Sequence, residues 1–526
     1  MRTRPSHEVC RSMVTALTAV GSLFAGTSTF AQTVTDPTLQ VETVVTGLAL
    51  PTAMDFLAAD DFLVLQKNNG QVRRVLNGTL LPGAVLDVAV STDSERGLLG
   101  IAINDLEPPH VFLYYTEATV DGGPPLGNRI YRYTWNAGTG TLQSPVRIAD
   151  LPATPGPNHD GGTLLFGPPG ETDVADGRKL YTVIGDLNRN GQLQNNAAGA
   201  APDDTGAIFA LKQDGSPDDG NPFFPYCSQT TTQTCMTNGD CSVPQTCQTQ
   251  VRGYFAYGIR NSFGLAIDPA SGDLWASENG PDAYDEVNRV AAGFNSGWNK
   301  IMGPDARDPQ GLGDLFNMPG GASAYSDPEF SWLNPVAPTA ILFPVGSALG
   351  PAYDAVALVA DNNTGSISRL PLNGARDAFD FSGFTGLADL VADNASETGQ
   401  VRFGANFGAA TDLKLGPDGA VYVVSIGRGI VYRIRPRPPT PTPTVTRTPT
   451  TVPTPTMTRT PTAVPTPTAT RTPGPPATPT APPTPQPCLD TLSACGHDSR
   501  CCSGCCLNIP PGIGGLCVPD VLGCPL

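Results

Sequence analysis

The sequence has little charge, few aromatic residues and no long amphipathic pattern. Only 15% of its 526 residues are charged and 7% are aromatic. Between Gln32 and Arg435 no apolar pattern repeats with the 3.6-residue period of a long helix. A coiled coil and a helical protein with charge pairs along its surface are therefore excluded. Hydrophobic residues make up 40% of the chain, which also excludes a fully disordered protein.

Basic residues are scarcer than acidic ones. Lysine and arginine together number 31, against 48 aspartates and glutamates, and the formal net charge is −17. An acidic surface repels phosphate backbones, so we expect no nucleic-acid partner. The N-terminal apolar run at residues 13–24 is too short to cross a bilayer and no other run is longer, so we expect no membrane span.

The N-terminus has the pattern of a secretory signal. Arg2 and Arg4 precede the apolar run, Arg11 lies at its start, and a stretch of small residues ends at Ala31. This pattern predicts a signal peptide over residues 1–31. The mature protein is then expected to be secreted, periplasmic or held at the cell surface.

Cleavage after Ala31 removes Cys10 and leaves twelve cysteines in two clusters. The clusters are Cys227, Cys235, Cys241 and Cys247, and Cys488, Cys495, Cys501, Cys502, Cys505, Cys506, Cys517 and Cys524. Even numbers of cysteines in an exported chain favour disulfides over a zinc site. We expect two bridges in the first cluster and four in the second, with the pairing open.

The body of the chain consists of short β-like runs between turns rich in Gly, Pro, Asp and Asn. These runs are His110–Thr116, Lys179–Ile184, Ala207–Leu211, Leu274–Ser277 and Val421–Ser425. A turn followed by an apolar–aromatic strand recurs, as in Gly416-Pro-Asp-Gly419 before Tyr422. The repeat predicts an all-β, six-bladed β-propeller over residues 32–435, with pairs of β-sandwiches as the alternative. Residues 226–250 form a cysteine-rich insert, which we expect to be a surface loop.

The C-terminal part differs in composition from the body. Residues 436–487 repeat Thr-Pro, which predicts a disordered, extended spacer. Residues 488–526 contain eight cysteines and too few residues for a core, which predicts a small disulfide-rich module. Two roles for this module stay open: it binds an extracellular partner, or it only protects the C-terminus.

Three sites in the body have the residue types of a catalytic centre. His159 lies in a glycine-flanked turn before a strand, where an imidazole can act as a general base. Arg260 can stabilise an oxygen that gains negative charge. The carbonyls of Gly280 and Pro281, with the Glu286 carboxylate, are hard oxygen ligands suited to Ca²⁺.

The order of these motifs resembles the soluble glucose/sorbosone dehydrogenase family. The motifs are Glu95-Arg-Gly-Leu-Leu-Gly-Ile-Ala102, Asn158-His-Asp-Gly-Gly162, Gly185-Asp186, Tyr257-Gly-Ile-Arg-Asn261, Glu278-Asn-Gly-Pro281, Asp285-Glu286 and Gly416-Pro-Asp-Gly419. The resemblance spans about Val41 to Ile434. It implies a six-bladed propeller that uses pyrroloquinoline quinone (PQQ) and Ca²⁺ to oxidise a sugar.

The resemblance also implies roles for the residues around the cofactor. His159 would remove the proton of the sugar's anomeric hydroxyl while hydride passes from that carbon to the quinone. Arg260 would stabilise the oxygen that gains charge. Arg260, Asn261 and Glu95 would contact the cofactor.

Substrate and metal positions follow from the same resemblance. Asn158 and Trp332 would line the sugar site, although a core position for Trp332 stays open. The carbonyls of Gly280 and Pro281 would bind Ca²⁺, with Glu286 as a further ligand. The electron acceptor that regenerates the cofactor is not implied.

The sequence departs from the family pattern at positions that bind PQQ carboxylates. Ala409 and Thr411 occupy the places of two arginines, and residues 362–364 lack a family lysine. Leu187 occupies the place of a glutamine that lines the sugar site. Each charged hydrogen bond contributes about 1.5–3 kcal/mol, so these losses weaken the expected cofactor site.

Three functions therefore remain open. The first is an exported PQQ-dependent aldose dehydrogenase. The second is a catalytically inactive extracellular propeller that binds carbohydrate or another ligand. The third is another enzyme on the same fold, such as a lactone hydrolase that uses the Ca²⁺ site.

Overall fold

The computed structural model describes residues 31–169, 177–307 and 311–438, and three short strands further along the chain. The chain divides into two compact units, residues 1–441 and 442–526. The second unit contains Ala494–Cys495, Cys505–Leu507 and Gly515–Val518, which pair antiparallel. Most of the predicted signal peptide and the whole Thr-Pro stretch from 439 onwards lie outside the described residues. The four bridges expected in the C-terminal cluster also lie outside them.

Six β-sheets of four to six strands form the first unit. Sheet 1 is Pro51–Ala58, Asp61–Gln66, Gln71–Leu76, Thr79–Leu80 and Leu86–Asp87, and sheet 2 is Leu98–Ile103, His110–Glu117, Gly127–Asn136 and Thr141–Leu151. Sheet 3 is Leu164–Phe166, Leu180–Ile184, Ala207–Leu211, Tyr254–Tyr257, Phe294–Asn295 and Ala324–Tyr325. Sheet 4 is Gly264–Ile267, Leu274–Glu278, Asp285–Val290, Phe330–Trp332 and Val391–Ala392. Sheet 5 is Pro338–Leu342, Val356–Asp361, Ile367–Pro371, Arg402–Ala405 and Thr33–Val34, and sheet 6 is Ala410–Leu415, Val421–Ser425, Ile430–Pro436 and Leu39–Val45.

The first strands of the six sheets in chain order, counting from Pro51, contact one another in a closed series. Pro51–Ala58 of sheet 1 lies against Leu98–Ile103 of sheet 2, and the series continues to Ala410–Leu415 of sheet 6, which returns to sheet 1. The N-terminal strand Leu39–Val45 pairs antiparallel with Ile430–Pro436, so the two ends of the domain meet in one sheet. This ring of sheets around a central channel confirms the predicted all-β propeller and excludes the sandwich alternative.

The core lies between neighbouring sheets. All residues of Leu180–Ile184 and Val356–Asp361 are buried, as expected for strands whose two faces are both covered by other sheets. Aromatic residues fill these layers, and Trp275 and Trp332 are both fully buried. The Trp332 ring packs edge-on against Phe330 at 4.8 Å.

Helices contribute little to the described part of the chain. The α-helix Ala395–Gln400 begins after Asn394, whose side chain accepts hydrogen bonds from the backbone N–H groups of Ser396 and Glu397. Six 3₁₀ turns are Gln192–Gln194, Asn238–Asp240, Thr249–Gly253, Asp305–Arg307, Leu312–Asp314 and Pro351–Tyr353. Among the described residues, no helix is long and apolar enough to cross a membrane.

The cysteine-rich insert lies between the strands Ala207–Leu211 and Tyr254–Tyr257 of sheet 3. Its bridges are Cys227–Cys241 and Cys235–Cys247, which confirms two disulfides in the first cluster. All four sulfurs belong to buried residues, and they form a small core for a segment that has few other apolar side chains.

Candidate active site

His159 is held in an unusual backbone conformation next to sheet 3. Its φ angle is +67°, and its carbonyl accepts a hydrogen bond from the Gly185 N–H at 3.0 Å. A Cβ at position 185 would lie 2.4 Å from the Arg260 carbonyl oxygen and 2.9 Å from the His159 Cβ. Only glycine therefore lets His159 and Arg260 approach each other across this strand end.

The His159 ring is oriented by a carboxylate that is itself fixed. His159 Nδ1 lies 2.5 Å from Asp186 Oδ1, and the ring is 6% exposed. Asp186 also accepts hydrogen bonds from Trp298 Nε1 at 2.7 Å and from the Asn188 N–H at 2.7 Å. A carboxylate at Nδ1 keeps the proton on that nitrogen, which leaves Nε2 as the basic atom of the neutral imidazole.

Glu95 connects the histidine to a central cavity. Its carboxylate accepts a hydrogen bond from the His159 N–H at 2.5 Å and contacts Asn261 Nδ2 at 3.4 Å. Glu95 also lines the cavity, as does Asn279. The structure thus brings the predicted residues His159, Asn261 and Glu95 together, although the sequence separates the outer pair by 166 positions.

Arg260 lies on the other side of this group. Its N–H donates to Glu278 Oε1 at 2.6 Å, and its Nη1 donates to the carbonyls of Asn279 at 2.7 Å and Gly280 at 3.0 Å. The guanidinium carbon lies 5.2 Å from the centre of the Trp298 ring, in cation–π contact. Arg260 therefore contacts one of the two carbonyls that the sequence assigns to Ca²⁺.

Asp285 supports the turn at Gly280 and Pro281, whose carbonyls are the expected Ca²⁺ ligands. The Asp285 carboxylate is buried and accepts hydrogen bonds from the N–H groups of Gly280, Val336 and Ala337, at 2.9, 2.6 and 2.6 Å. Its oxygens are thus occupied by backbone donors. Pro281 is exposed at the tip of the turn.

Glu286 does not face solvent at this turn. Its carboxylate accepts hydrogen bonds from Asn288 Nδ2 at 2.9 Å and from the Gly303 N–H at 2.5 Å, and the residue is 2% exposed. Burial and the neighbouring Glu278 raise the pKa of Glu286, and burial raises the pKa of Glu278 to about 7. The Glu286 oxygens are therefore occupied by protein donors, while the Gly280 carbonyl is bonded to Arg260 Nη1 at 3.0 Å.

A cavity of about 270 Å³ lies at the centre of the ring of sheets. Its walls come from all six sheets and their loops, as the following lining residues show: Thr52, Lys67, Glu95, Leu99, Gly161, Asn279, Thr339, Asn362, Thr411, Asp412 and Lys414. Thr411 and Asn362 in this wall belong to the two stretches, 409–411 and 362–364, where the sequence lacks the cations expected from the resemblance.

Trp332, Leu187 and Asn158 differ in how deeply they are buried. Trp332 is 1% exposed in the core between sheets 4 and 5, which supports the core alternative for this residue. Leu187 is fully buried in the core around sheets 2 and 3. Asn158 is partly exposed beside His159.

Asp160 follows His159 and is fully buried. Its Oδ1 accepts a hydrogen bond from Asn128 Nδ2 at 3.0 Å, and Arg96 Nε lies 4.0 Å away. Its Oδ2 has no hydrogen-bond partner among the described residues. Burial raises the pKa of Asp160 to about 6 because one hydrogen bond and a distant cation do not replace the lost water.

Asp160→Asn is expected to flatten the pH dependence of stability between about pH 4 and 6. The unfolded carboxyl loses its proton near pH 3.9, whereas the folded one keeps it to about pH 6, so ionisation costs stability as pH rises. The wild-type protein should lose up to about 3 kcal/mol over this window through Asp160. Urea unfolding from pH 4 to 8 measures the effect, with exposed Asp60→Asn as the control. Equal slopes in the wild type and in Asp160→Asn would contradict the assignment.

Several residues of the site could not be assigned a role from the sequence. Asp186 lies in one of the family motifs and Trp298 lies outside them, and nothing in the local sequence of either residue connects it with His159. The general rule that a catalytic imidazole needs a partner at its second nitrogen predicts such a residue, but it does not identify which one. Nothing in the local sequence indicates that Lys67 and Lys414 line the cavity, because their position there depends on the closure of the ring of sheets.

Sequence comparison relates this geometry to known proteins. The family model described as Glucose / Sorbosone dehydrogenase matches residues 48–433. Quinoprotein glucose dehydrogenase B of Acinetobacter calcoaceticus is 29% identical over 267 residues, which cover 47% of this chain and 47% of that protein. The aldose sugar dehydrogenase YliI of Escherichia coli is 25% identical over 273 residues, covering 50% of this chain and 62% of that protein. The matched segments thus span about half to three fifths of these relatives.

Solved structures share the fold. The PQQ-bound aldose sugar dehydrogenase of Streptomyces coelicolor matches with a TM-score of 0.51 at 24% identity, covering 76% of this chain and 98% of that chain. The soluble aldose sugar dehydrogenase of Escherichia coli, in its apo-form, matches with a TM-score of 0.53 at 21% identity, covering 76% and 100%. Since the family model covers most of the propeller, from 48 to 433, this chain belongs to the glucose/sorbosone dehydrogenase family.

Proposed function

We propose that the protein is an exported sugar dehydrogenase that oxidises the anomeric carbon of an aldose with PQQ and Ca²⁺. The observation that carries the proposal is the contact of His159 with two carboxylates, Asp186 at its Nδ1 and Glu95 at its backbone N–H, of which Glu95 lines the central cavity. A histidine with one nitrogen bonded to a carboxylate is the form that a general base takes. Family membership supports the same reaction class.

The proton moves to His159 in this proposal. Asp186 holds the proton on Nδ1, so Nε2 takes the proton from the anomeric hydroxyl and Asp186 stabilises the imidazolium that forms. PQQ, when bound with Ca²⁺, supplies the two-electron acceptor for the hydride of the anomeric carbon. Asn158, partly exposed beside His159, is the proposed contact to the sugar.

Arg260 and Asn261 are proposed to hold the cofactor. Arg260 Nε, Asn261 Oδ1 and Asn279 Oδ1 are buried atoms without a hydrogen-bond partner among the described residues. Buried polar atoms are normally bonded, so three such atoms close together indicate a polar ligand. A planar quinone with oxygen and nitrogen atoms along its edge fits this set, and Glu95 borders the same space.

The Ca²⁺ ligands are proposed to be the backbone carbonyls of Gly280 and Pro281. The hydrogen bonds of Asp285 hold the turn, and a Cβ at position 280 would lie 2.2 Å from the Ala283 carbonyl oxygen. The turn thus presents its carbonyls only while residue 280 is glycine. Glu286 is proposed to support the turn rather than to bind Ca²⁺ directly, because its oxygens are bonded to Asn288 and Gly303.

The remaining parts of the proposal concern architecture and location. Each of the six sheets is taken as one blade, which gives a six-bladed propeller over residues 32–435. Residues 1–31 are the proposed signal peptide, and the protein acts outside the cytoplasm. Residues 436–487 and 488–526 are the proposed spacer and disulfide-rich module, the latter a candidate for binding an extracellular partner.

Calorimetric titration of the Ca²⁺-loaded protein with PQQ tests this function. We expect one tight site whose affinity falls sharply when Ca²⁺ is removed by a chelator. The second candidate, a propeller that binds carbohydrate without PQQ, is favoured by Thr411 and Asn362 in the cavity wall, where the family pattern has cations. Absence of binding up to high micromolar PQQ would support that candidate and contradict the dehydrogenase.

A further inference from the structure

The central cavity contains a lysine, Lys414, which has two neighbouring aspartates but no hydrogen-bond acceptor among the described residues. Lys414 lies on the inner strand Ala410–Leu415 of sheet 6 and lines the cavity of about 270 Å³ together with Thr411 and Asp412. It also lines a neighbouring cavity of about 510 Å³, so its half-buried side chain lies where the two spaces meet. Among the described residues none accepts a hydrogen bond from its Nζ.

Two aspartates keep Lys414 charged. Burial opposes ionisation, but Asp412 and Asp55 outweigh it and raise the pKa of Lys414 above its usual range. The ammonium group is therefore present throughout the physiological pH range.

The same aspartates are bonded to the backbone. Asp55 accepts from the N–H groups of Phe56 at 2.9 Å and Ile103 at 2.8 Å, and Asp412 accepts from the Met54 N–H at 2.9 Å. They supply charge to Lys414 while their own hydrogen bonds are directed to the strands. The donors of Lys414 remain available to a ligand in the cavity.

Lys67, the other lysine that lines the cavity, differs from Lys414 because its Nζ is bonded to protein acceptors. Its Nζ donates to the Ser94 carbonyl at 2.7 Å and to Asn68 Oδ1 at 3.2 Å. Two of its three donors are thus occupied by protein atoms. Lys414 is the better candidate for an anionic ligand.

We propose that Lys414 binds a carboxylate of the quinone cofactor and takes over the role of the arginines that are absent at Ala409 and Thr411. This inference rests on the proposed function. Thr411 and Lys414 are three residues apart on one strand, about 10 Å along it, and both line the cavity. An ammonium group with free donors, next to a wall of small polar side chains, provides the charged hydrogen bond that those positions lost.

Lys414→Met is expected to weaken PQQ binding by about 10- to 100-fold in the calorimetric titration with Ca²⁺, the effect of one charged hydrogen bond. Lys414→Arg, which keeps the cation, should restore most of the affinity. The control is Lys212→Met, because Lys212 bonds to Asp219 at 2.8 Å and does not line the cavity. Lys212→Met should bind PQQ like the wild type.

A second readout uses the trimethyl ester of PQQ, which lacks the carboxylate charge. The ester should bind the wild type and Lys414→Met with affinities within about twofold of each other, because the bond that the variant loses is absent for this ligand. If Lys414→Met does not fold, judged by urea unfolding, the charge-balanced double variant Asp55→Asn/Lys414→Met replaces it under the same criteria.

The outcomes separate this inference from the proposed function. If the wild type binds PQQ and the Lys414 variant binds it within twofold, Lys414 is not the carboxylate ligand and the dehydrogenase proposal stands. If the wild type does not bind PQQ at all, both proposals are overturned. A loss of affinity for PQQ with no loss for the ester supports Lys414 as the ligand.

Discussion

His159→Ala is expected to lower kcat for aldose oxidation by about 10²–10⁴-fold, the contribution of a positioned general base. The imidazole is the only basic group that the structure places beside Asn158 and Glu95 with a carboxylate, Asp186, at its second nitrogen, as far as the described residues show. Without it, water must accept the proton of the anomeric hydroxyl. Dye reduction by the PQQ-loaded protein in the presence of aldoses measures the loss.

The control for this substitution is His110→Ala. His110 begins a strand of sheet 2, where its N–H bonds to Asn104 Oδ1 at 2.7 Å, so it lies outside the group formed by His159, Asp186 and Glu95. PQQ affinity should change little in His159→Ala, because the histidine acts on the sugar rather than on the cofactor. A kcat within threefold of the wild type would show that His159 is not the base.

Asp285→Ala is expected to destabilise the protein by about 3–6 kcal/mol. The substitution removes the acceptor of the buried Val336 N–H and of the partly buried N–H groups of Gly280 and Ala337. Each unsatisfied buried donor costs about 1–3 kcal/mol. Urea unfolding of the ligand-free protein measures the change.

Ca²⁺ affinity should fall with the same substitution. The turn at Gly280 and Pro281 loses the bond that holds it, so its carbonyls no longer point to one place. Asp282→Ala is the matched control, since Asp282 is exposed on the same turn and should change stability by less than about 0.5 kcal/mol. Equal stabilities of the two variants would contradict the role of Asp285.

Much of the local structure could be predicted from the sequence. The expected strands at Ala207–Leu211 and Val421–Ser425 have the observed bounds, and the run at His110–Thr116 is one residue shorter than its strand. The turn at Gly416-Pro-Asp-Gly419 also precedes a strand as predicted. These features depend on neighbours in the chain, where glycine, proline and β-branched residues act directly on the backbone.

The site was predicted in part. His159, Arg260 and Asn261 were recognised because motifs in a fixed order carry them, and the structure brings His159 and Asn261 to Glu95, which lines the cavity. The position of Trp332 could not be predicted in this way, because the local sequence does not distinguish an aromatic residue in a core from one in a pocket. Its burial against Phe330 was decided by the packing of sheets 4 and 5.

The sequence by itself determined the class of fold, the turns and strands, the cysteine clusters and the choice of His159 as the proposed base. The tertiary structure alone decided the pairing Cys227–Cys241 and Cys235–Cys247, the partnership of Asp186 and Trp298 with His159, and the place of Lys414 in the cavity. The physical reason is the closure of the ring. It brings side chains from six sheets to one channel, and which residues meet there depends on contacts between positions hundreds of residues apart.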